Sequence, residues 1–118
     1  MNKNCEVNAG RHYTYNQGII LSALVEMNKE TKESRYLDLA NKIATAAIQN
    51  LVYENGILKD PTEPNVNGDA SQFKGIFMRH LANLYRVTEN ELFKNFIITN
   101  ADAIWEKARN EMTNEVGA

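Results

Sequence analysis

Two short segments combine polar and aromatic side chains, and each stands at the start of an apolar stretch with helical spacing. They are Tyr13-Thr14-Tyr15-Asn16-Gln17-Gly18 and Asp69-Ala70-Ser71-Gln72-Phe73-Lys74-Gly75. Aromatic rings offer faces for stacking, amide, carboxylate and ammonium groups offer hydrogen bonds, and helix N-termini add oriented N–H groups. A polyhydroxylated ligand needs this combination of groups. The two segments are therefore candidates for a carbohydrate-binding site.

A purely structural interpretation of the same segments stays open. Asn16, Asp69 and Ser71 could cap helix N-termini by accepting backbone N–H bonds, and the tyrosines could lie at the boundary of the core. Gly18 and Gly75 fall early within the helical patterns, where Gly costs about 1 kcal/mol relative to Ala. They indicate close packing of helices or close approach of a ligand.

The loop between the second and third helical patterns carries the acidic cluster Asp60, Glu63 and Asp69. Glycoside hydrolysis uses paired carboxylates, because one donates a proton to the leaving oxygen while the other attacks or activates water. A charged, proline-containing loop is more often simply solvated. The two histidines, His12 and His80, have no Ser or Cys partner at a suggestive spacing, and His80 fits a structural role inside a helix.

Bulk properties exclude several classes of protein. The chain has 118 residues, 43% hydrophobic content and a formal net charge of −2, which fit one soluble domain or part of one and offer no basic stripe for nucleic acid. No apolar run approaches the ~20 residues of a membrane span, and no signal peptide is visible. The lone Cys5 has no disulfide partner, and no spacing indicates a metal or cofactor site. The sequence leaves cytoplasmic and exported locations both open.

The spacing of apolar residues predicts four helices, at about 15–30, 35–51, 71–87 and 91–110. Ser34 could cap the second helix, and the residues between 52 and 70 form a long loop with an extended piece at Ile57-Leu58. The predicted inward face of the fourth helix comprises Leu92, Phe93, Phe96, Ile97, Ala101, Ile104, Trp105 and Ala108.

The four helices form a repeat of two antiparallel hairpins. Shifting the chain by 57 positions aligns Gly18 with Gly75 and Ala44 with Ala101, together with many apolar positions between them. Stacked hairpins normally need about three or more units to bury their core. Two hairpins therefore predict an exposed apolar flank, or a homo-oligomer that covers it.

Three ordered motifs resemble glycoside hydrolase family 76, which contains endo-α-1,6-mannanases and related bacterial and fungal enzymes. They are YTYNQG, NGILKDPTEPNVNGDASQFKGIFMRHL and NADAIWEKARN, and the similarity spans about Tyr13 to Asn110. The resemblance implies an (α/α)6 toroid of six helical hairpins. Residues 1–118 would then be the C-terminal part of such a domain, with an all-α fold.

The resemblance also implies a retaining hydrolase of α-1,6-mannan. The residues that match the family's groove motifs are Tyr15, Asn16, Gln17, Asp69, Gln72, Phe73 and Lys74. The family's catalytic pair is two adjacent aspartates upstream of these motifs, and no Asp-Asp pair occurs in this sequence. The chain alone should therefore be inactive, with Asp69 as the remaining candidate for a catalytic role, and should bind manno-oligosaccharide weakly or not at all.

Two other functions fit the same sequence. A helical-repeat module could bind a protein partner through the open apolar flank. Another toroid enzyme, such as an unsaturated-glycoside hydrolase or an epimerase, could use the same hairpins with a different sugar.

Overall fold

The computed structural model describes residues 10–116, and these residues form an all-α structure of two helical hairpins. A 3₁₀ turn at Gly68–Gln72 leads directly into the third helix. The α-helices in the described part of the chain are α1 (Thr14–Thr31), α2 (Arg35–Asn50), α3 (Phe73–Thr88) and α4 (Glu91–Lys107). The fold class and the four helices predicted from apolar spacing are confirmed, with boundaries that differ by up to three residues.

Each hairpin has a tight connection with a residue in the left-handed conformation. Lys32 ends α1 at φ 61°, and its N–H donates to the Asn28 carbonyl at 2.8 Å. Glu89 ends α3 in the same way at φ 50°. Asn90 then caps α4, because its side-chain oxygen accepts the Leu92 N–H at 3.0 Å. These short connections force each pair of helices to run antiparallel.

The caps predicted at Ser34, Asp69 and Ser71 are wrong. Ser34 already has helical backbone angles, so its hydroxyl does not cap α2. The 3₁₀ turn delays the start of α3 to Phe73, and the Ser71 hydroxyl donates to the Gly68 carbonyl at 2.8 Å instead. The Asp69 side chain makes no hydrogen bond among the described residues and is exposed.

The core lies mainly between α1 and α3, which pack on each other more extensively than any other pair of helices in the described residues. Gly18 makes this possible: a Cβ added there would lie 2.6 Å from the Phe77 Cα, closer than atoms can approach. Phe77 itself is fully buried. The prediction of close helix packing at Gly18 is confirmed, whereas a Cβ on Gly75 would meet nothing within 4 Å.

The long loop is held in place at its middle. Val52 and Leu58 form an antiparallel bridge around a turn at Gly56, which has a φ of 78° that favours glycine. Leu58 is buried, and its N–H donates to the Asn100 side chain of α4 at 2.9 Å. The predicted extended piece at Ile57-Leu58 therefore forms and ties the loop to α4.

The predicted inward face of α4 is only half correct. Phe93 and Phe96 are buried, but Trp105 is 54% exposed, with the Arg109 guanidinium 4.2 Å from its ring centroid. The interpretation of Trp105 as a core residue is wrong, because no element in the described part of the chain covers the C-terminal half of α4. This uncovered surface is the apolar flank expected from a stack of two hairpins.

None of the helices within residues 10–116 has the length and apolar character needed to cross a bilayer. Cys5, which has no disulfide partner in the sequence, lies outside the described residues.

Candidate functional site

The two polar and aromatic segments meet at one end of the bundle, because α1 and α3 run side by side. The rings of Tyr15 and Phe73 have centroids 4.4 Å apart, and Tyr13 lies 6.1 Å from the first and 5.8 Å from the second. All three residues are half-buried. These three rings, here called the aromatic platform, offer partly open π-faces of the kind on which sugar rings stack.

The start of α1 is fixed by a carboxylate from the long loop. Asp60 is 1% exposed, and one of its oxygens accepts both the Thr14 N–H at 2.9 Å and the Thr14 hydroxyl at 2.7 Å. The other oxygen accepts the Thr62 N–H at 3.0 Å and its hydroxyl at 2.7 Å. A negative charge at a helix N-terminus is favourable. Asp60 thus caps a helix far away in sequence and positions the aromatic residues of its first turn.

These hydrogen bonds determine the protonation state of Asp60. Burial raises the pKa of the carboxyl, but the four hydrogen bonds from Thr14 and Thr62 outweigh burial and hold the pKa below its ordinary value. Asp60 is therefore ionised at neutral pH, with both oxygens occupied. The geometry gives it a structural role rather than that of a proton donor to a sugar.

Glu63 links the loop to the start of α3. Lys74 Nζ lies 2.5 Å from one Glu63 oxygen, and the Tyr53 hydroxyl donates to the other. The Lys59 ammonium lies 5.0 Å from the centroid of the Tyr53 ring. The Glu63 side chain is 12% exposed, whereas Lys74 is 42% and Tyr53 40% exposed, so the carboxylate is shielded from water while its partners are open to it. It fixes Lys74 beside the aromatic platform.

The pKa values of Glu63 and Tyr53 in this network shift in opposite directions. Burial raises the pKa of Glu63, but the hydrogen bonds from Lys74 and Tyr53 outweigh it, so the pKa of the carboxyl lies below its ordinary value. The hydrogen bond to Glu63 raises the pKa of Tyr53. Near neutral pH the group consists of a carboxylate, an ammonium and a neutral phenol, which can bind hydroxyl groups but holds no readily donated carboxyl proton.

The remaining predicted site residues lie around this end of the bundle. Asn16, Asp69 and Gln72 are exposed and make no side-chain hydrogen bond among the described residues. Gln17 instead lines a separate pocket of about 330 Å³ with His12 and the end of α2. The structure therefore brings Tyr15 and Phe73 together, pairs the neighbouring Lys74 with Glu63, and directs Gln17 to another side of α1.

Sequence reasoning missed two participants. Tyr53 follows α2 in a stretch with no periodicity, and only the fold of the loop brings it to Glu63. Thr14 was named within its segment, but nothing in the sequence connects it with Asp60. The spacing indicated no Ser partner for His80, yet its Nδ1 lies 2.6 Å from the Ser22 hydroxyl, and its structural role stays a prediction. Within residues 10–116, no three His, Cys, Asp or Glu side chains gather as a metal-binding group.

A second feature is an apolar cleft of about 530 Å³ between α3, α4 and the loop. It is here called the open cleft, and residues that line it include Gly75, Met78, Ile97, Ala101, Ile104 and Ala108. Lys74 and Tyr53 also contribute to its wall, so the open cleft begins where the Glu63 network ends. Its lining is mostly hydrocarbon, which suits a nonpolar partner better than a free sugar.

The described residues form an all-α stack of two helical hairpins with an aromatic and polar group at one end. Residues 1–117 match Glycosyl hydrolase family 76, and the chain belongs to this family. The chain is also similar to the crystal structure of the Lin0763 protein from Listeria innocua, with 35% sequence identity and a TM-score of 0.77. That match covers 89% of this chain and 29% of the Lin0763 chain. A comparison with curated proteins finds no match.

Proposed function

We propose that this chain forms one wall of the carbohydrate-binding groove of an α-1,6-mannan hydrolase. The observation that carries the proposal is the aromatic platform, which is half-buried, rigidly placed on two helix starts and bordered by Lys74. Membership of family 76 makes a glycoside hydrolase the enzyme class. The α-1,6-mannan specificity rests on the family's motifs in this sequence.

We further propose that residues 1–118 do not hydrolyse mannan alone. The sequence has no adjacent aspartates, Asp60 is committed to capping α1, and Glu63 is paired with Lys74. Asp69 stays a prediction as a catalytic group; it is exposed, and neither its hydrogen bonding nor its surroundings prepare it for proton transfer. Glycoside hydrolysis requires one protonated and one ionised carboxyl group. These residues therefore do not supply that pair to the groove.

The groove assignment can be tested by NMR. Addition of an α-1,6-linked manno-oligosaccharide to the ¹⁵N-labelled chain should shift the amide signals of Tyr15, Phe73 and Lys74, with weak affinity. Tyr15→Ala should abolish the shifts, whereas Trp105→Ala, which removes an exposed ring elsewhere, should leave them unchanged. Shifts confined to α4, or no shifts at the highest soluble sugar concentration, would contradict the assignment.

Activity is tested separately. We expect no reducing sugar to be released from α-mannan by the pure chain. Cleavage that Asp69→Asn abolishes would show that the chain carries its own catalytic acid. Binding of α-mannosides, β-linked sugars and uronic acids by the same preparation distinguishes a mannan groove from that of another toroid enzyme, since preferential binding of a uronic acid would favour the latter.

The alternative of a protein-interaction module is favoured by one observation, the open cleft. Because its lining is apolar and helix α3 presents a bare glycine there, it fits a helix rather than a sugar.

A further inference from the structure

The three rings of the aromatic platform stand on the ends of two helices. Tyr13 directly precedes α1, Tyr15 lies in its first turn, and Phe73 is the first residue of α3. Helix ends fray unless other groups bind them. The tight contact of Gly18 with the Phe77 backbone lies a full turn further along both helices. The position of the rings therefore depends on what holds the two helix starts.

One short turn of the long loop binds both helix starts. It comprises residues 60–63, here called the bridging turn, and the Glu63 N–H closes it by donating to the Asp60 carbonyl at 3.1 Å. At one end, the Asp60 carboxylate accepts the N–H and the hydroxyl of Thr14, the first residue of α1. At the other end, the Glu63 carboxylate pairs at 2.5 Å with the ammonium of Lys74, the second residue of α3. Two neighbouring carboxylates therefore connect the helix starts that carry the platform.

The bridging turn is itself anchored to the rest of the structure. The Asp60 oxygen that does not face Thr14 accepts the Thr62 N–H at 3.0 Å and its hydroxyl at 2.7 Å. Just before Asp60, Leu58 is 1% exposed and donates its N–H to the Asn100 side chain of α4 at 2.9 Å. The turn is therefore a fixed support between α1, α3 and α4, and not a solvated loop.

The burial of these groups separates support from contact with a ligand. Thr14 is 0% exposed and Asp60 is 1% exposed, so a sugar on the platform cannot touch either side chain. The Glu63 side chain is 12% exposed, and its two oxygens face Lys74 and Tyr53. Any effect of Asp60 or Thr14 on sugar binding must therefore act through the position of the rings.

We propose, on the basis of the function proposed above, that the bridging turn positions the aromatic platform, with Asp60 and Glu63 as positioning residues for sugar binding. Asp60 holds the start of α1 and Glu63 holds the start of α3. Together they set the 4.4 Å spacing and the 42° angle between the Tyr15 and Phe73 rings. The carboxylates that the sequence offered as an acid pair thus serve binding affinity and not proton transfer.

The two carboxylates act on one property, the arrangement of the two helix starts. Release of either start lets the rings move apart or rotate, which removes the surface on which a sugar stacks. Because a second release then has little left to change, the effects of the two carboxylates on sugar affinity are not additive. Residues with independent structural roles would instead give effects that add.

Ring geometry without sugar gives the first test. Nuclear Overhauser effects between the Tyr15 and Phe73 ring protons should weaken in Asp60→Asn and in Glu63→Gln. Leu84→Ala is the matched control, because it removes a fully buried side chain at the far end of α3 and lowers stability without altering the bridging turn. Its ring signals should match those of the unmodified chain, and circular dichroism shows that each variant is folded.

Titration with an α-1,6-linked manno-oligosaccharide gives the second test. We expect Asp60→Asn and Glu63→Gln each to weaken binding roughly tenfold, since small displacements of positioned groups can cost up to about 10²-fold. The double variant should lose little more affinity than either single variant. Leu84→Ala should bind the sugar as the unmodified chain does.

Thr14 provides a milder pair of variants that keeps the buried carboxylate in place. Thr14→Val removes the hydroxyl that donates to Asp60 while keeping the shape of the side chain, so it should weaken both the ring signals and the sugar affinity. Thr14→Ser keeps the hydroxyl and should retain both. A purely structural effect would follow stability in all variants, whereas a positioning effect follows the hydroxyl.

The outcomes distinguish the positioning role from the proposed function. An unmodified chain that binds no manno-oligosaccharide would overturn the proposed function, and the positioning role with it. Sugar binding that Tyr15→Ala abolishes, but that Asp60→Asn and Thr14→Val leave unchanged, would overturn the positioning role alone. The same holds if the Leu84→Ala control loses as much affinity as Asp60→Asn. A loss in Asp60→Asn without one in Glu63→Gln would contradict the joint action of the two carboxylates.

Discussion

The two hairpins are built from the same repeat, yet the first has a filled cleft and the second an open one. Ala44 of α2 is fully buried, whereas its counterpart Ala101 in α4 is exposed. Ala47 is 4% exposed, and its counterpart Ile104 is 49% exposed. Burial at equivalent positions is therefore decided by whether a further helix lies in the cleft, and not by the apolar character of the residue.

The starts of the two first helices differ in a related way. Thr14 and Ser71 are equivalent in the repeat, but only Thr14 is capped by a buried carboxylate. Ser71 lies in a 3₁₀ turn and bonds to its own turn. The N–H groups at a helix start that lies between neighbouring elements can be capped by a residue distant in sequence. At the edge of the stack, the hydrogen bonds at a helix start are made within the local turn.

The largest expected difference between the hairpins is at Phe77 and its counterpart Ile20. Phe77→Ala should lower the free energy of unfolding by about 3–5 kcal/mol, because it empties the filled cleft. Ile20→Ala should cost less than about 1 kcal/mol, since this side chain is 40% exposed. Urea denaturation at low protein concentration measures both. Equal losses of unfolding free energy in Phe77→Ala and Ile20→Ala would contradict the contrast between the filled and the open cleft.

A smaller effect is expected at the cap of α1. Asp60→Asn should cost about 2–3 kcal/mol, because a single amide oxygen cannot accept the hydrogen bonds from both Thr14 and Thr62. Asp69→Asn, which changes an exposed carboxylate at the other helix start, is the control and should leave stability unchanged.

The same cap makes stability depend on pH. The folded-state pKa of Asp60 lies below its ordinary value, so its contribution is present above the unfolded pKa and is lost as the pH falls through the folded pKa. Denaturation midpoints should therefore fall on acidification below about pH 4, and the fall should be smaller in Asp60→Asn. The dependence of stability on pH that remains in Asp60→Asn comes from Glu63, whose pKa is also lowered. An unchanged pH profile in Asp60→Asn would contradict this role.

The smallest expected effect is at the start of α3. Lys74→Met removes the ammonium from Glu63, so the pKa of Glu63 should rise, while stability changes by about 1 kcal/mol or less because Lys74 is 42% exposed. Carboxyl ¹³C NMR of the variant measures the pKa directly. Lys94→Met, which breaks an exposed pair with Glu91, serves as the matched control and should leave the Glu63 signal unchanged.

The sequence predicted the helices well, because apolar spacing records which face of each helix turns inward. It also placed Tyr15 and Phe73 at one end of the bundle, since α1 and α3 are equivalent in the repeat. Periodicity does not record whether anything covers that face, so Trp105 was assigned to the core although its surroundings are open. The role of Asp60 could not be predicted either, because its partner Thr14 is near only after the loop has folded.

The assignment of the candidate site to sugar binding rests on different grounds. Aromatic and polar residues at a helix start are equally compatible with capping, and the structure removes that alternative for Asp69 and Asn16. The binding roles of these residues, and of Gln17 and Gln72, therefore stay predictions that the NMR titration tests.

The hydrogen bond from Thr14 to Asp60 also determines when the first turn of α1 can be capped during synthesis. Its two ends are 46 residues apart, so a ribosome adding about 5–20 residues per second produces the acceptor roughly 2–9 s after the donor. Throughout that interval the first turn of α1 has no carboxylate cap and its amides exchange freely with solvent. Protection of the Thr14 amide should therefore appear during synthesis only after Asp60, in the loop before α3, has emerged.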